Sequence, residues 1–240
     1  MGSLSAELTL AEVNLFTAEV IERDSRVTVI AAENGEEFRA HLRNTGRLED
    51  LVYPGAPVAC ERKENGKTDA RVIGAIDEGS YVLMDTYLQE EVFEKILQTR
   101  VLDWLPEELS SIESQATFKD RRFDFSFRTK DRKGYIELKS AVTCREGWAS
   151  YPDAPSERGL EHVHCLKELA ADGLPVYIVF VVTHPNCNRF TPDDAIQPAM
   201  GEALQAAERA GVNISGIKMV LTENGRILLM DKEVPVKLDN

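Results

Sequence analysis

Short runs of alternating or β-branched residues, NLFTAEVIER, RVTVIAAE, EEFRAHLR, APVACERKE and DARVIGAID, fill the first third of the chain. Turn-forming RDS, ENG, YPG and ENGKT separate them, and such a succession predicts about five short strands. Strands of that number and length predict a small barrel of the OB or SH3-like kind. Beyond residue 85 the period changes. LQEEVFEKILQTRVL places Val92, Ile96 and Leu97 on one helical face, SERGLEHVHCLKELAADG keeps helical spacing and stops at Gly173, and AIQPAMGEALQAAERAG stops at Gly211. Between them SIESQATF, RFDFSF, GYIELKS, PVYIVFVV, NISGIKMVL and RILLMD read as strands. Helices interleaved with strands predict a mixed α/β domain. With no repeat or low-complexity linker, the change of period alone sets the boundary between Ser80 and Tyr87. The expectation is an α+β chain: a small OB-like barrel over 1–85 and an α/β domain over 86–240.

One hairpin in the second domain carries chemistry. In RRFDFSFRTKDRKGYIELKSA, residues two apart share a strand face. Phe123, Phe125 and Phe127 therefore project one way and Asp124 the other, while Glu137 and Lys139 share a face opposite Ile136 and Leu138. Pairing of the two strands brings Asp124 and Glu137 within reach of one cation. Two carboxylates with a carbonyl and waters suit a hard ion such as Mg²⁺ or Mn²⁺. Lys139, on the Glu137 face, is placed to orient a metal-bound water or to stabilise charge on a phosphate. A surface hairpin with a cross-strand Lys/Asp pair accounts for the same residues.

The flanking order narrows the choice. A helix before the hairpin, a helix beginning at Ser156 and the apolar strand PVYIVFVV give αβββαβ, the order of the PD-(D/E)xK nuclease core. Ser156 is a good N-cap, and Pro155 holds the chain before it extended, so Asp153 is presented on a rigid loop. Arg158 and His162, four apart, are helical neighbours able to hold a phosphate; solvated first-turn charges and a packed histidine are the alternative. In the barrel, HLRNTGRL groups His41, Arg43, Asn44 and Arg47 in one polar loop suited to phosphates, and a plain turn with Gly46 at positive φ explains it equally well. His184 and Arg189 lie at a strand end, a weaker signal.

Composition limits what the chain can bind. Its 240 residues, 43% hydrophobic, suffice for a sizeable core, and a formal charge of −13 is the wrong sign for coating nucleic acid through a broad basic surface. Contact with DNA, or with RNA, must be local or metal-bridged. Cys60, Cys144, Cys165 and Cys187 form no CxxC pair, so reduced thiols in a cytoplasmic protein are expected. Neither a leader nor a membrane span is read in the sequence: MGSLSAELTLAEVNLF has no basic start, and the longest apolar run is Val176 to Val182.

YPDAPSERGLEHVHCLKEL, with RFDF, IELKS, HLRNTGRL and YPGAPV, closely resembles the sugar fermentation stimulation protein A (SfsA) family, over nearly the whole chain. The resemblance implies a DNA-binding protein with an OB-like N-terminal domain and a nuclease-like C-terminal domain. It places the family's acidic and lysine positions on Asp124, Glu137 and Lys139, and its PDA…ERG…H signature on Pro152, Asp153, Ala154, Glu157, Arg158, Gly159 and His162. In MDTYLQEE, Gln89 and Glu90 stand where the family usually has an asparagine. Two functions follow: a metal-dependent phosphodiesterase on nucleic acid, or a non-catalytic DNA-binding regulator linked by family name to sugar metabolism.

Overall fold

The computed structural model describes residues 8–239; the part of the expected barrel domain that precedes residue 8 lies outside the described residues. In chain order the strands of the first half are β1 (Leu8–Glu12), β2 (Leu15–Ser25), β3 (Thr28–Glu33), β4 (Glu36–Leu42), β5 (Pro57–Arg62), β6 (Ala70–Asp77) and β7 (Ser80–Leu83). Helix α1 (Thr86–Thr99) then leads to β8 (Ser110–Phe118), β9 (Arg121–Arg128), β10 (Lys133–Ala141), β11 (Thr143–Arg145) and β12 (Trp148–Tyr151). The remainder is α2 (Glu157–Ala171), β13 (Val176–Val182), β14 (Arg189–Pro192), α3 (Pro198–Arg209), β15 (Asn213–Leu221) and β16 (Arg226–Asp231).

The five expected strands are β2 to β6, and they close on themselves. β2 pairs with β3 and β5, β3 with β4, β5 with β6, and a parallel pairing of β4 with β6 completes the ring. That connectivity is the OB barrel, and it settles the choice between OB and SH3-like. Val20, Val29, Ala40, Leu42, Val58 and Val72 fill its interior.

The second sheet has seven strands in the order β1-β16-β15-β13-β10-β9-β8. β8, β9 and β10 are antiparallel, whereas β10, β13 and β15 run parallel, joined by crossovers through α2 and α3. β13, VYIVFVV, is buried at all seven positions, as a central parallel strand covered on both faces must be. Helix α1 sets Val92, Phe93 and Ile96 against Phe125, Phe127 and Ile136 on one face, and α2 and α3 set Val163, Leu166 and Leu204 against Ile178 and Phe180 on the other. Each such side chain, fully buried, contributes roughly 1.5–3 kcal/mol. Ala59, Ile73 and Leu83 of the first sheet belong to the α1 core, so the two halves share apolar packing.

Three expectations need correction. β1 precedes the barrel in sequence, but it hydrogen-bonds to β16 and so belongs to the C-terminal sheet. Phe123 leaves the face of Phe125 and Phe127 and packs under α2 beside His162. The β9–β10 ladder ends at Phe125 and Ile136, and beyond that point β9 follows β8 alone. The cysteines are not all reduced. Cys144 on β11 and Cys187 in the loop after β13 form a disulfide, because β12 pairs with both β11 and β14 and draws their ends together. Cys60 is buried in the barrel, which pushes its thiol up to about 12. Among the described residues no helix is long and apolar enough to cross a membrane.

Candidate metal and nucleic-acid cleft

A cleft of about 870 Å³ separates the barrel from the C-terminal sheet. Its floor is the point where β9 and β10 part. Past Phe125 and Ile136 the backbone of β9 no longer serves Leu138 N–H, and Asp124 Oδ2 accepts that bond at 2.7 Å. The half-buried carboxylate thus wedges the strands apart and faces the opening they leave.

Glu137 and Lys139 follow on β10, two residues apart and on the face covered by α2. Lys139 Nζ donates to Glu137 Oε1 at 2.7 Å, and His162 Nδ1, from α2, reaches the same oxygen at 2.5 Å. Glu137 Oε2 is buried with no hydrogen-bond partner among the described residues. Burial works to raise the Glu137 carboxyl, but the Lys139 ammonium and the His162 bond outweigh it and hold it below its ordinary value. Burial works in turn to lower the Lys139 ammonium, and the negative charge of Glu137 overrides that and raises it. The pair is therefore ionised.

Asp124 is in the opposite condition. Burial first, then the charges of Glu137 and Glu90, push it well above the usual carboxylate range, against the Leu138 N–H bond and Lys139. Glu90 on α1 is also raised, chiefly by burial, while Gln115 Nε2 donates to it at 2.5 Å. Three carboxylates with one lysine leave the floor short of positive charge. A bound cation is the direct remedy.

The rim comes from both halves of the chain. α2 is capped by Ser156, whose Oγ accepts from Gly159 N at 3.0 Å; a Cβ at Gly159 would stand 2.5 Å from the Tyr151 hydroxyl. The glycine of the ERG signature lets Tyr151 approach the helix, and the Tyr151 ring faces Lys139 Nζ at 5.8 Å. Arg158 is exposed at the lip, and His41 from the end of β4 and Arg43 from the loop after it enter from the barrel. Arg47 does not line the cleft; it is exposed, and its carbonyl is held by Arg23. Asn44 does line it, with its amide committed to backbone, accepting from Gly46 N at 2.9 Å and donating to Met84 O at 3.2 Å. Gly46 is not at positive φ. A Cβ there would meet Asp153 Oδ2 at 2.1 Å, and that carboxylate accepts from Leu48 N at 3.2 Å. Asp153 thus clamps the barrel loop to the α2 entry. His184 and Arg189 lie elsewhere, one on Asp77 at 3.0 Å and the other over Trp148.

Pattern reading missed Glu90, Arg122 and Tyr87 as parts of the cleft. Glu90 and Tyr87 ride on the polar face of α1, and Arg122 on the exposed start of β9, where charged and aromatic residues need no special reason.

Comparison with known proteins agrees with this architecture. Residues 13–84 match the family described as the SfsA N-terminal OB domain, and residues 87–225 match the sugar fermentation stimulation protein RE domain. A sugar fermentation stimulation protein homolog of Desulfitobacterium hafniense is 32% identical over 213 residues, 88% of this chain and 92% of that one. The Pyrococcus furiosus homolog is 33% identical over 222 residues, covering 92% and 96%. The solved structure of Pyrococcus furiosus SfsA in complex with Ca²⁺ superposes with a TM-score of 0.91 at 33% identity, over 96% of this chain and 99% of that one.

Proposed function

The chain belongs to the sugar fermentation stimulation protein family, and from that premise we propose that it is a divalent-metal-dependent phosphodiesterase acting on nucleic acid. In this reading the barrel, within the first 85 residues, grips the strand, and residues 86–240, a nuclease-like domain whose sheet β1 completes, do the chemistry. The observation that carries it is the state of Glu137: Oε1 takes both Lys139 and His162, while Oε2 is buried with no partner among the described residues, beside a strongly raised Asp124. Such an oxygen needs a ligand.

Asp124 and Glu137 would hold the ion. Both offer oxygen, which suits Mg²⁺ or Mn²⁺, and the relative from Pyrococcus furiosus is a Ca²⁺ complex. When bound, such an ion supplies a Lewis acid that polarises a phosphoryl oxygen and acidifies a water. The protein supplies the rest. Lys139, raised by Glu137, keeps its proton through the neutral range and serves as fixed positive charge rather than as a base. His162 fixes the Glu137 carboxylate so that Oε2 is the oxygen left for the metal. Arg122 and Arg158 at the lip offer guanidinium groups to flanking phosphates.

One observation favours the second reading, a DNA-binding regulator without catalysis. Lys139 and His162 are both spent on Glu137, so the floor has an internal network that needs no reaction to explain it. Incubation of single- and double-stranded DNA and RNA with Mg²⁺, Mn²⁺ or chelator decides between them. Cleavage that needs the metal and disappears in Glu137→Gln supports the phosphodiesterase; no cleavage under any metal leaves the regulator.

A further inference from the structure

Phosphate contacts alone are a poor source of affinity in this cleft. Five carboxylates and five Lys or Arg side chains line it, and the whole chain carries −13. Counterion release rewards net positive charge, which is missing here. Another source stands on the wall: Tyr87 lines the cleft and is 62% exposed, far more than a tyrosine with only a packing role.

The ring is not loose. Tyr87 sits in the first turn of α1, capped by Asp85, whose Oδ1 accepts from Leu88 N at 3.0 Å. The Arg43 guanidinium lies over the ring, 5.2 Å from its centre. Arg43 is held in turn, since its carbonyl accepts from Thr86 N at 3.0 Å and Thr86 Oγ1 at 2.8 Å. One ring face is thus backed by a cation from the barrel and the ring remains largely open to solvent. Such a rigid platform is what strand-binding proteins offer a base.

Its position relative to the carboxylates fixes what it would read. Tyr87 and Glu90 are three apart on α1, hence neighbours about 5–6 Å apart at Cβ. Glu90 lines the same cleft as Asp124 and Glu137. The ring therefore stands about one helical turn from the carboxylate floor. A base inside a duplex has both faces covered by its neighbours and cannot stack on a side chain.

We propose that the cleft takes single-stranded nucleic acid, and that the base next to the phosphate facing the divalent ion that Asp124 and Glu137 would hold stacks on the open face of Tyr87. This rests on the nucleic-acid reading of the cleft above but not on catalysis. Discrimination against duplex then comes from the availability of a free base face, and affinity from stacking more than from phosphate charge.

The test is anisotropy of the full chain with a labelled oligodeoxynucleotide of about 12 nucleotides, within the site sizes of strand-binding barrels. It is run in Ca²⁺ with the single strand and with its duplex, and cleavage is followed separately in Mg²⁺ and Mn²⁺. The single strand should bind the more tightly, with a shallow salt dependence. Tyr87→Ala should weaken it about 5- to 150-fold, the range for loss of one stacked base. Tyr87→Phe and Tyr87→Trp should bind like the parent. In a series with one abasic site moved along the strand, a single position should abolish the effect of Tyr87→Ala. Should that variant fail to fold, Tyr87→Leu removes the aromatic face while keeping an apolar body. Equal affinity for strand and duplex, or single-strand binding indifferent to Tyr87→Ala, overturns the proposal, and no binding to either overturns it together with the nucleic-acid reading. Tyr87-dependent binding without cleavage in any metal sinks the phosphodiesterase and leaves this inference standing.

Discussion

Lys139 Nζ stands 2.7 Å from Glu137 Oε1 with both side chains almost entirely out of solvent, so each charge depends on the other. Removing one partner of a buried pair leaves an uncompensated charge, which costs roughly 3–5 kcal/mol. Lys139→Met keeps the stem and removes the ammonium. Without metal it should be less stable than the parent by about that amount in urea unfolding, and divalent cation should restore much of the loss. Cleavage should fall about a hundredfold or more, the scale of one lost preorganised charge. Full cleavage by Lys139→Met would take the lysine out of the mechanism.

Asp124 makes the reverse prediction. Its carboxylate is disfavoured by burial and by Glu137 and Glu90, so Asp124→Asn removes a repelled charge and still accepts from Leu138 N through its amide oxygen. The metal-free variant should be at least as stable as the parent, and calorimetry should show its Mn²⁺ binding strongly reduced. Unchanged Mn²⁺ affinity would mean that the ion sits elsewhere.

Asp85 carries a pH dependence independent of metal. Burial raises its carboxyl, against the Leu88 N–H bond and the charges of Arg43 and Arg71. A carboxyl raised on folding stabilises fully below its ordinary value, and that contribution is lost as pH climbs through the raised one. Asp85→Asn still caps α1. From about pH 4 to neutrality its unfolding free energy should fall less than the parent's, or rise more. Parallel curves from urea titrations at each pH would contradict the assignment.

The disulfide gives a stability prediction. Cys144 and Cys187 are 43 residues apart, and closing a loop of that length is worth about 4 kcal/mol through the unfolded chain. The doubly substituted Cys144→Ser, Cys187→Ser protein should unfold at correspondingly lower urea. Dithiothreitol should destabilise the parent and leave the variant untouched; equal response of both proteins would show that the bond does not form in solution.

The barrel was legible because β2 to β6 are long enough to alternate and are separated by strong turn residues. The three helices and the hairpin were legible for similar reasons. β1, β7, β11, β12 and β14 span three to five residues each, too few for a period to emerge. Asp124, Glu137 and Lys139 were named from alternation, yet that pattern misplaced Phe123, since alternation assumes a flat hairpin, whereas β9 leaves β10 at Phe125 and continues with β8 alone. What no local pattern holds is long-range juxtaposition. His162 reaching Glu137, Glu90 facing the floor, Asp153 closing on Gly46 and Cys144 meeting Cys187 all depend on crossovers tens of residues long.

The pairing of β1 with β16 bears on how the molecule is made and how it can be cut. During synthesis the barrel strands are complete long before Arg226–Asp231 emerges, so β1 must wait, unpaired, for the last partner. Long-range pairing of this kind is slow, and it belongs to the final stage of folding. A C-terminal fragment beginning at residue 86 would also bare the outer hydrogen-bonding groups of β16 to any strand in solution. Severing the halves there invites edge-to-edge association through β16, and a fragment that carries Leu8–Glu12 as a tethered or added peptide would have that edge covered.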